Sequence, residues 1–100
     1  MENSIGEYIM AHLSSHNDAL LARVRRIAGQ VTAIERALSA DTECAKVLQL
    51  VAATKGAMSG LLDEIIEAHL KEHVAHPGLS DAERAQGADD VMEAIRRYAK

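Results

Sequence analysis

Six apolar residues, Leu20, Val24, Ile27, Val31, Ile34 and Leu38, succeed one another at spacings of 4, 3, 4, 3 and 4. A strand requires alternation, whereas steps of three and four return to one side of the chain only in a helix. This heptad stripe predicts a helix over about residues 15–38 with one continuous apolar face. The apolar inventory points the same way. Of the 100 residues 48% are apolar, yet there is no Phe, no Trp and only two Tyr, so Ala, Leu, Ile, Val and Met must build the core. An aliphatic core of that kind suits helices, because strands favour aromatic and β-branched residues. The same lack of rings excludes a base-stacking platform for single-stranded nucleic acid.

The run Ser39-Ala40-Asp41-Thr42 interrupts the stripe, and Asp41 or Thr42 is placed to cap the next helix. That second helix is predicted over about residues 43–74, with a broad apolar face of Val47, Leu48, Val51, Met58, Leu61, Leu62, Ile65, Ile66 and Leu70. Gly56 and Gly60 fall inside it, and each costs about 1 kcal/mol against Ala, which points to a close helix contact. Pro77-Gly78 ends this helix. Ser80 and Glu83 then form the capping box S-x-x-E that opens a third segment bearing Val91, Met92, Ile95 and Tyr98, with Gly87 as an expected break. Residues 1–10 read as a poorly ordered tail and residues 11–100 as a single helical domain. The expected class is therefore all-α, with three helices, two of them long. At 1.5 Å per residue the long helices would span about 36 and about 45 Å. Two rods and a short helix cannot cover such wide stripes, so a second copy packed across a twofold axis is expected. No apolar run approaches the roughly 20 residues of a membrane span. The first residues also lack the features of a signal peptide. The single cysteine excludes an intramolecular disulfide framework and fits a reducing compartment, so a cytoplasmic protein without a membrane partner is expected.

The net charge of −4 argues against nucleic acid only until it is divided along the chain. Residues 1–18 carry −3, residues 19–58 carry +3, residues 59–93 carry −7 and residues 94–100 carry +3. Arg23, Arg25 and Arg26 make one basic cluster, and Arg96, Arg97 and Lys100 make another. Phosphate binding depends on charge at the contact surface, so both clusters are candidates for DNA, beside the simpler reading of solvated helix faces.

His69 and His73 stand four residues apart, on one helix face, where both imidazoles can reach one metal ion. The five residues His69-Leu70-Lys71-Glu72-His73 also match the H-x-x-E-H protease pattern, but a small helical chain offers no cleft for a peptide, and an enzyme is not expected. Cys44 precedes His69 by 25 residues, about 37 Å along one helix. The two can share an ion only if two long helices run antiparallel across a dimer. If the first two helices fold as a hairpin, position x lies opposite roughly 81 − x, which brings His12 beside His69. His12, His69 and His73 of one chain with a Cys44 from another make three imidazoles and a thiolate, a borderline-soft set suited to nickel, cobalt or zinc rather than calcium or magnesium. His16 and His76 are weaker candidates, and Cys44 has the alternative of being an ordinary buried small residue.

The stretches ALLARVRRIAGQVTAIERAL, ECAKVLQLVAATKGAMSGLLDEIIEAHLKEH and RRYAK resemble the CsoR/RcnR/FrmR family of bacterial repressors, over most of residues 10–100. The resemblance implies a three-helix protomer, an antiparallel four-helix-bundle dimer and a tetramer. It implies a repressor that binds double-stranded operator DNA and releases it when an inducer binds at the dimer interface. Cys44, His69 and His12 match family ligand positions. Copper sensors carry Cys where this chain has His73, so the set resembles that of the nickel/cobalt branch. By the same resemblance Arg23 and Arg26 are the leading DNA contacts, with Arg25, Arg96, Arg97 and Lys100 after them. The wording RVRRIAGQV is as close to formaldehyde sensors, which join the helix-2 cysteine to an N-terminal amine. Here that position is Ala11, and its amine is free only if translation starts at Met10. The expected inducer is therefore nickel or cobalt, with formaldehyde as the alternative.

Overall fold

The computed structural model describes residues 17–98. Among them are three helices and no strand: α1 (Asn17–Ser39), α2 (Cys44–His73) and α3 (Asp81–Tyr98). His12, Lys100 and the expected N-terminal tail lie outside the described residues.

The turn between α1 and α2 is made by the backbone. The Thr42 N–H donates to the Ala37 carbonyl at 3.0 Å and the Asp41 N–H to the Leu38 carbonyl at 3.3 Å. This is a Schellman closure, whose penultimate residue takes the left-handed conformation. Asp41 occupies that place, with φ of 58°. Asp41 thus closes α1 instead of capping α2. The Glu43 carbonyl accepts the first amides of α2, from Lys46 at 3.1 Å and Val47 at 3.4 Å.

The described residues divide into two compact units, Asn17–Asp63 and residues 64–98, with α2 running through both. In the first unit Leu20, Ile27 and Ala37 of α1 are buried, and Ile34, Val47, Leu50 and Leu61 are half-buried. The heptad stripe of α1 is divided. Its other members, Val24, Val31 and Leu38, remain 44%, 52% and 64% exposed. The two glycines of α2 also differ. A Cβ on Gly60 would stand 2.5 Å from Nη1 of Arg23, so a guanidinium from α1 lies where a side chain would be. Gly56 has open space above it. The hairpin rule puts Arg23 opposite about residue 58 and the contact falls at Gly60, two positions further on.

In the second unit Ala68, Gly87 and Val91 are buried. The third segment is one unbroken helix through Gly87, so the expected break is absent. Gly87 instead permits a close approach, since a Cβ there would overlap the His73 carbonyl and stand 2.8 Å from the His73 Cβ. The Ser80–Glu83 box is formed in both directions. The Ser80 N–H donates to Oε1 of Glu83 at 2.8 Å, and the Glu83 N–H donates to the Ser80 hydroxyl at 3.1 Å. These bonds to Ser80 hold the Glu83 carboxyl below its ordinary pKa, because they favour the charged form. Nη1 of Arg84 donates to the Val74 carbonyl, and Nη2 donates to the Leu79 carbonyl at 3.2 Å.

Candidate functional site

A second heptad series runs along α2: Cys44, Leu48, Val51, Lys55, Met58 and Ile65, all exposed, with the half-buried Leu62 and His69. Its steps alternate four and three, so on a straight helix all fall within an arc of about 100°, and 25 residues return to within about 20° of the starting face. Leu48, Val51, Met58 and Ile65 are exposed although apolar. Cys44 begins this series and is a free thiol, exposed and not buried within the chain itself. His69 ends it. Lys55 interrupts the apolar run near its middle and is exposed. A base inside an otherwise apolar heptad series is a signal visible in the sequence, and sequence reasoning missed it.

At the far end of α2, the His69 and His73 rings stack with centroids 4.5 Å apart and planes 29° apart. Their four-residue spacing thus brings the two imidazoles together on one face. Nε2 of His69 lies 3.1 Å from the Gly87 carbonyl oxygen. A carbonyl only accepts, so Nε2 is the nitrogen that carries the proton in this bond, which leaves Nδ1 as the lone-pair nitrogen of that tautomer. The carboxylate Oδ2 of Asp90 is 3.8 Å from the same Nε2. A ligating histidine commonly donates its second ring nitrogen to a carbonyl or carboxylate, an arrangement that fixes ring and tautomer. Sequence reasoning missed this partner because it is a backbone carbonyl, which any residue type supplies. His76 stands apart from the pair: its Nδ1 accepts the Gly78 N–H at 3.1 Å in the exposed turn.

Among the described residues no group of three His, Cys, Asp or Glu side chains could hold a metal ion. The stacked histidines alone do not make up a metal site. Two imidazoles fit a borderline transition metal, and completing four ligands requires donors from His12 or from another chain.

The basic residues are distributed unevenly. Arg25 and Arg26 are exposed on α1, while Arg23 is half-buried with its guanidinium against α2 at Gly60. Arg96 and Arg97 are exposed in the last turn of α3, where Nη2 of Arg97 pairs with Oε2 of Glu93 at 3.2 Å. No described helix is long and apolar enough to cross a membrane.

Comparison with known proteins gives these features a setting. Residues 16–97 match the family model described as metal-sensitive transcriptional repressor. The chain is 43% identical over 91 residues to an uncharacterised protein in the bioA 5′ region of Serratia marcescens, covering 91% of this chain and all of that protein. It is 40% identical, with the same coverage, to the transcriptional repressor RcnR of Salmonella arizonae. A solved structure of a variant of the formaldehyde-responsive regulator FrmR from Salmonella enterica serovar Typhimurium superposes with a TM-score of 0.77. That match has 40% identity and covers 82% of this chain and 92% of the other. Repressors of this kind are not enzymes, so the protease-like pattern around His69 and His73 has no hydrolytic meaning here. By family model, sequence and fold alike, the chain belongs to the metal-sensitive transcriptional repressor family.

Proposed function

We propose that this repressor binds operator DNA as an oligomer and releases it when nickel(II) or cobalt(II) is held by His12, His69 and His73 of one subunit and Cys44 of the partner subunit. The observation that carries this reading is the exposed series on α2, which has a thiol at one end and the imidazole pair at the other. An exposed apolar stripe of this length belongs against another surface. A twofold contact is self-complementary, so residue i meets j and j meets i. The midpoint between Cys44 and His69 falls beside Gly56, where nothing stands above the helix. Antiparallel pairing of two α2 helices about that point brings each Cys44 to the other chain's His69. It creates two identical sites and removes Leu48, Val51, Met58 and Ile65 from water. The bound ion supplies a bridge between subunits and, because it requires thiolate and neutral imidazole, binds more weakly as pH falls. Nδ1 of His69 is the nitrogen left to receive it, since Nε2 is committed to Gly87.

Operator contact rests on the exposed bases. Arg25 and Arg26 present charge on α1, and Arg96 and Arg97 at the end of α3 add to it. Arg23, laid over Gly60, supports the helix pair before it reaches a phosphate. Such contacts are mainly to the backbone and are steeply salt-dependent.

A second reading is favoured by the likeness to FrmR, whose name records a response to formaldehyde. The exposed Cys44 thiol suits covalent capture of that electrophile together with an amine. The discriminating experiment is operator release titrated with Ni(II), Co(II), Cu(I) and formaldehyde, on wild type and on Cys44→Ala and His73→Ala. The metal reading expects release by Ni(II) or Co(II) that fails in both variants. Release by formaldehyde that survives His73→Ala supports the alternative. Normal release from Cys44→Ala by every inducer overturns both.

A further inference from the structure

Arg84 takes no part in either basic cluster, yet its guanidinium bridges two backbone carbonyls of the second unit. It stands one turn into α3, half-buried. One nitrogen of its guanidinium donates to the Val74 carbonyl, just past the end of α2, and the other donates to the Leu79 carbonyl after the Pro77-Gly78 turn. The last carbonyls of a helix have no partner within the helix. Arg84 satisfies the carbonyl of the residue that follows α2 and a turn carbonyl together, so the end of α2, the turn and α3 are joined at a single planar group with fixed geometry.

One turn further along α3 comes Gly87. Its backbone packs against the His73 carbonyl, and its own carbonyl accepts the proton of His69 Nε2 at 3.1 Å. The tautomer and orientation of His69 therefore depend on where α3 sits along the end of α2, and Arg84 is what pins that position from the turn side. On the other side of Gly87, Asp90 reaches the same imidazole at 3.8 Å. From this chain of contacts we infer that Arg84 is a positioning residue of the inducer site, acting through Gly87 on His69. The inference rests on the metal reading only for its consequence in binding. Its structural half, that Arg84 sets the tautomer of His69, stands apart from any metal.

Two measurements on the full-length, metal-free protein and its Co(II) titration separate these parts. The first is the ring-nitrogen NMR signature of His69 in wild type, Arg84→Ala and Arg84→Lys, with helix content monitored by circular dichroism. Wild type should show a protonated Nε2 and an unprotonated Nδ1. Arg84→Ala should show a mixture of tautomers at unchanged helix content, and Arg84→Lys, which restores one donor, should fall between. The second is Co(II) affinity. Groups that orient ligands typically change metal affinity 10- to 100-fold, so Arg84→Ala is expected to weaken Co(II) roughly tenfold. Operator affinity without metal should stay within about threefold of wild type. His69→Ala serves as the control and should abolish Co(II) binding. If His69→Ala binds Co(II) normally, the metal reading fails while the tautomer result still judges Arg84. If His69→Ala abolishes binding and Arg84→Ala changes neither tautomer nor affinity, the inference is overturned. Equal losses of helix content and of metal affinity in both Arg84 variants, with the tautomer unmoved, would also overturn it by reducing Arg84 to a general stabiliser.

Discussion

Replacing Gly87 with Ala adds one methyl group where α3 closely approaches the end of α2. The added carbon would overlap the His73 carbonyl and stand 2.8 Å from the His73 Cβ. Carbon pairs settle at about 3.5–4.0 Å, so α3 must withdraw by about 0.7–1.2 Å. Forced backbone shifts of this kind cost about 1–3 kcal/mol. The same withdrawal takes the Gly87 carbonyl, now 3.1 Å from His69 Nε2, out of hydrogen-bond range, which adds about 1 kcal/mol. Against these stands the helix propensity of Ala over Gly, about 1 kcal/mol. The net expectation is a loss of about 1–3 kcal/mol. Gly29→Ala is the matched control. Gly29 is inside α1 with nothing within 4 Å of a new Cβ, so only the propensity gain applies and the variant should be about 1 kcal/mol more stable. Urea unfolding at fixed protein concentration, which holds any association constant, measures both. If Gly87→Ala equals or exceeds wild type while Gly29→Ala gains stability, the close approach of α3 to His73 is refuted. The two glycines must differ in sign.

Other expectations rest on single contacts. Asp41 sits at φ 58°, where an L-residue is about 1–2 kcal/mol worse off than glycine, so Asp41→Gly should raise stability by up to about 1 kcal/mol and Asp41→Val should lower it; equal midpoints would refute the left-handed closure. The Glu83 carboxyl has its pKa lowered by its bonds to Ser80, so its contribution is complete above the ordinary value of 4.5 and is lost as pH falls through the lower folded value. Thermal midpoints of wild type should therefore drop more steeply on acidification below about pH 4.5 than those of Glu83→Gln, and parallel curves would refute this. Arg25→Ala and Arg26→Ala should each lower the slope of log affinity against log salt for operator DNA by about 1, and an unchanged slope removes that residue from the phosphate contact.

Features legible in the sequence were local or periodic. The capping box of Ser80 and Glu83 formed as read, because both partners lie within one turn. The two long helices lie close to their expected spans, because their apolar spacing admits little else. Period alone could not divide the α1 stripe. Leu20 and Ile27 face inward while Val24, Val31 and Leu38 stay outside, and a heptad series reads the same whether it meets one neighbour or two. Gly87 was mistaken for a break because a lone glycine signals either flexibility or close contact, and only the His73 carbonyl decides between them. Asp41 was read, with Thr42 as the alternative, as a cap for α2, but its backbone closes α1, since Asp serves both roles. For the candidate site, the histidine pair was visible through its four-residue spacing, and its rings do stack. The bonds of His69 to Gly87 and of Arg84 to Val74 and Leu79 were hidden because they end on backbone carbonyls, which leave no mark in residue type.

The central claim is that each inducer site takes Cys44 from one subunit and the histidines from another. Mixing two defective proteins tests it most directly. Cys44→Ala alone and His69→Ala alone should each form dimers with no complete site. After unfolding together and refolding, half the dimers should hold one of each chain, and such a dimer regains one site of its two. A shared site predicts that the thiolate-to-Co(II) charge-transfer absorption, absent from either protein alone, returns to about a quarter of the wild-type intensity. Absorption that stays absent in a mixture shown to contain mixed dimers would contradict a site shared between subunits.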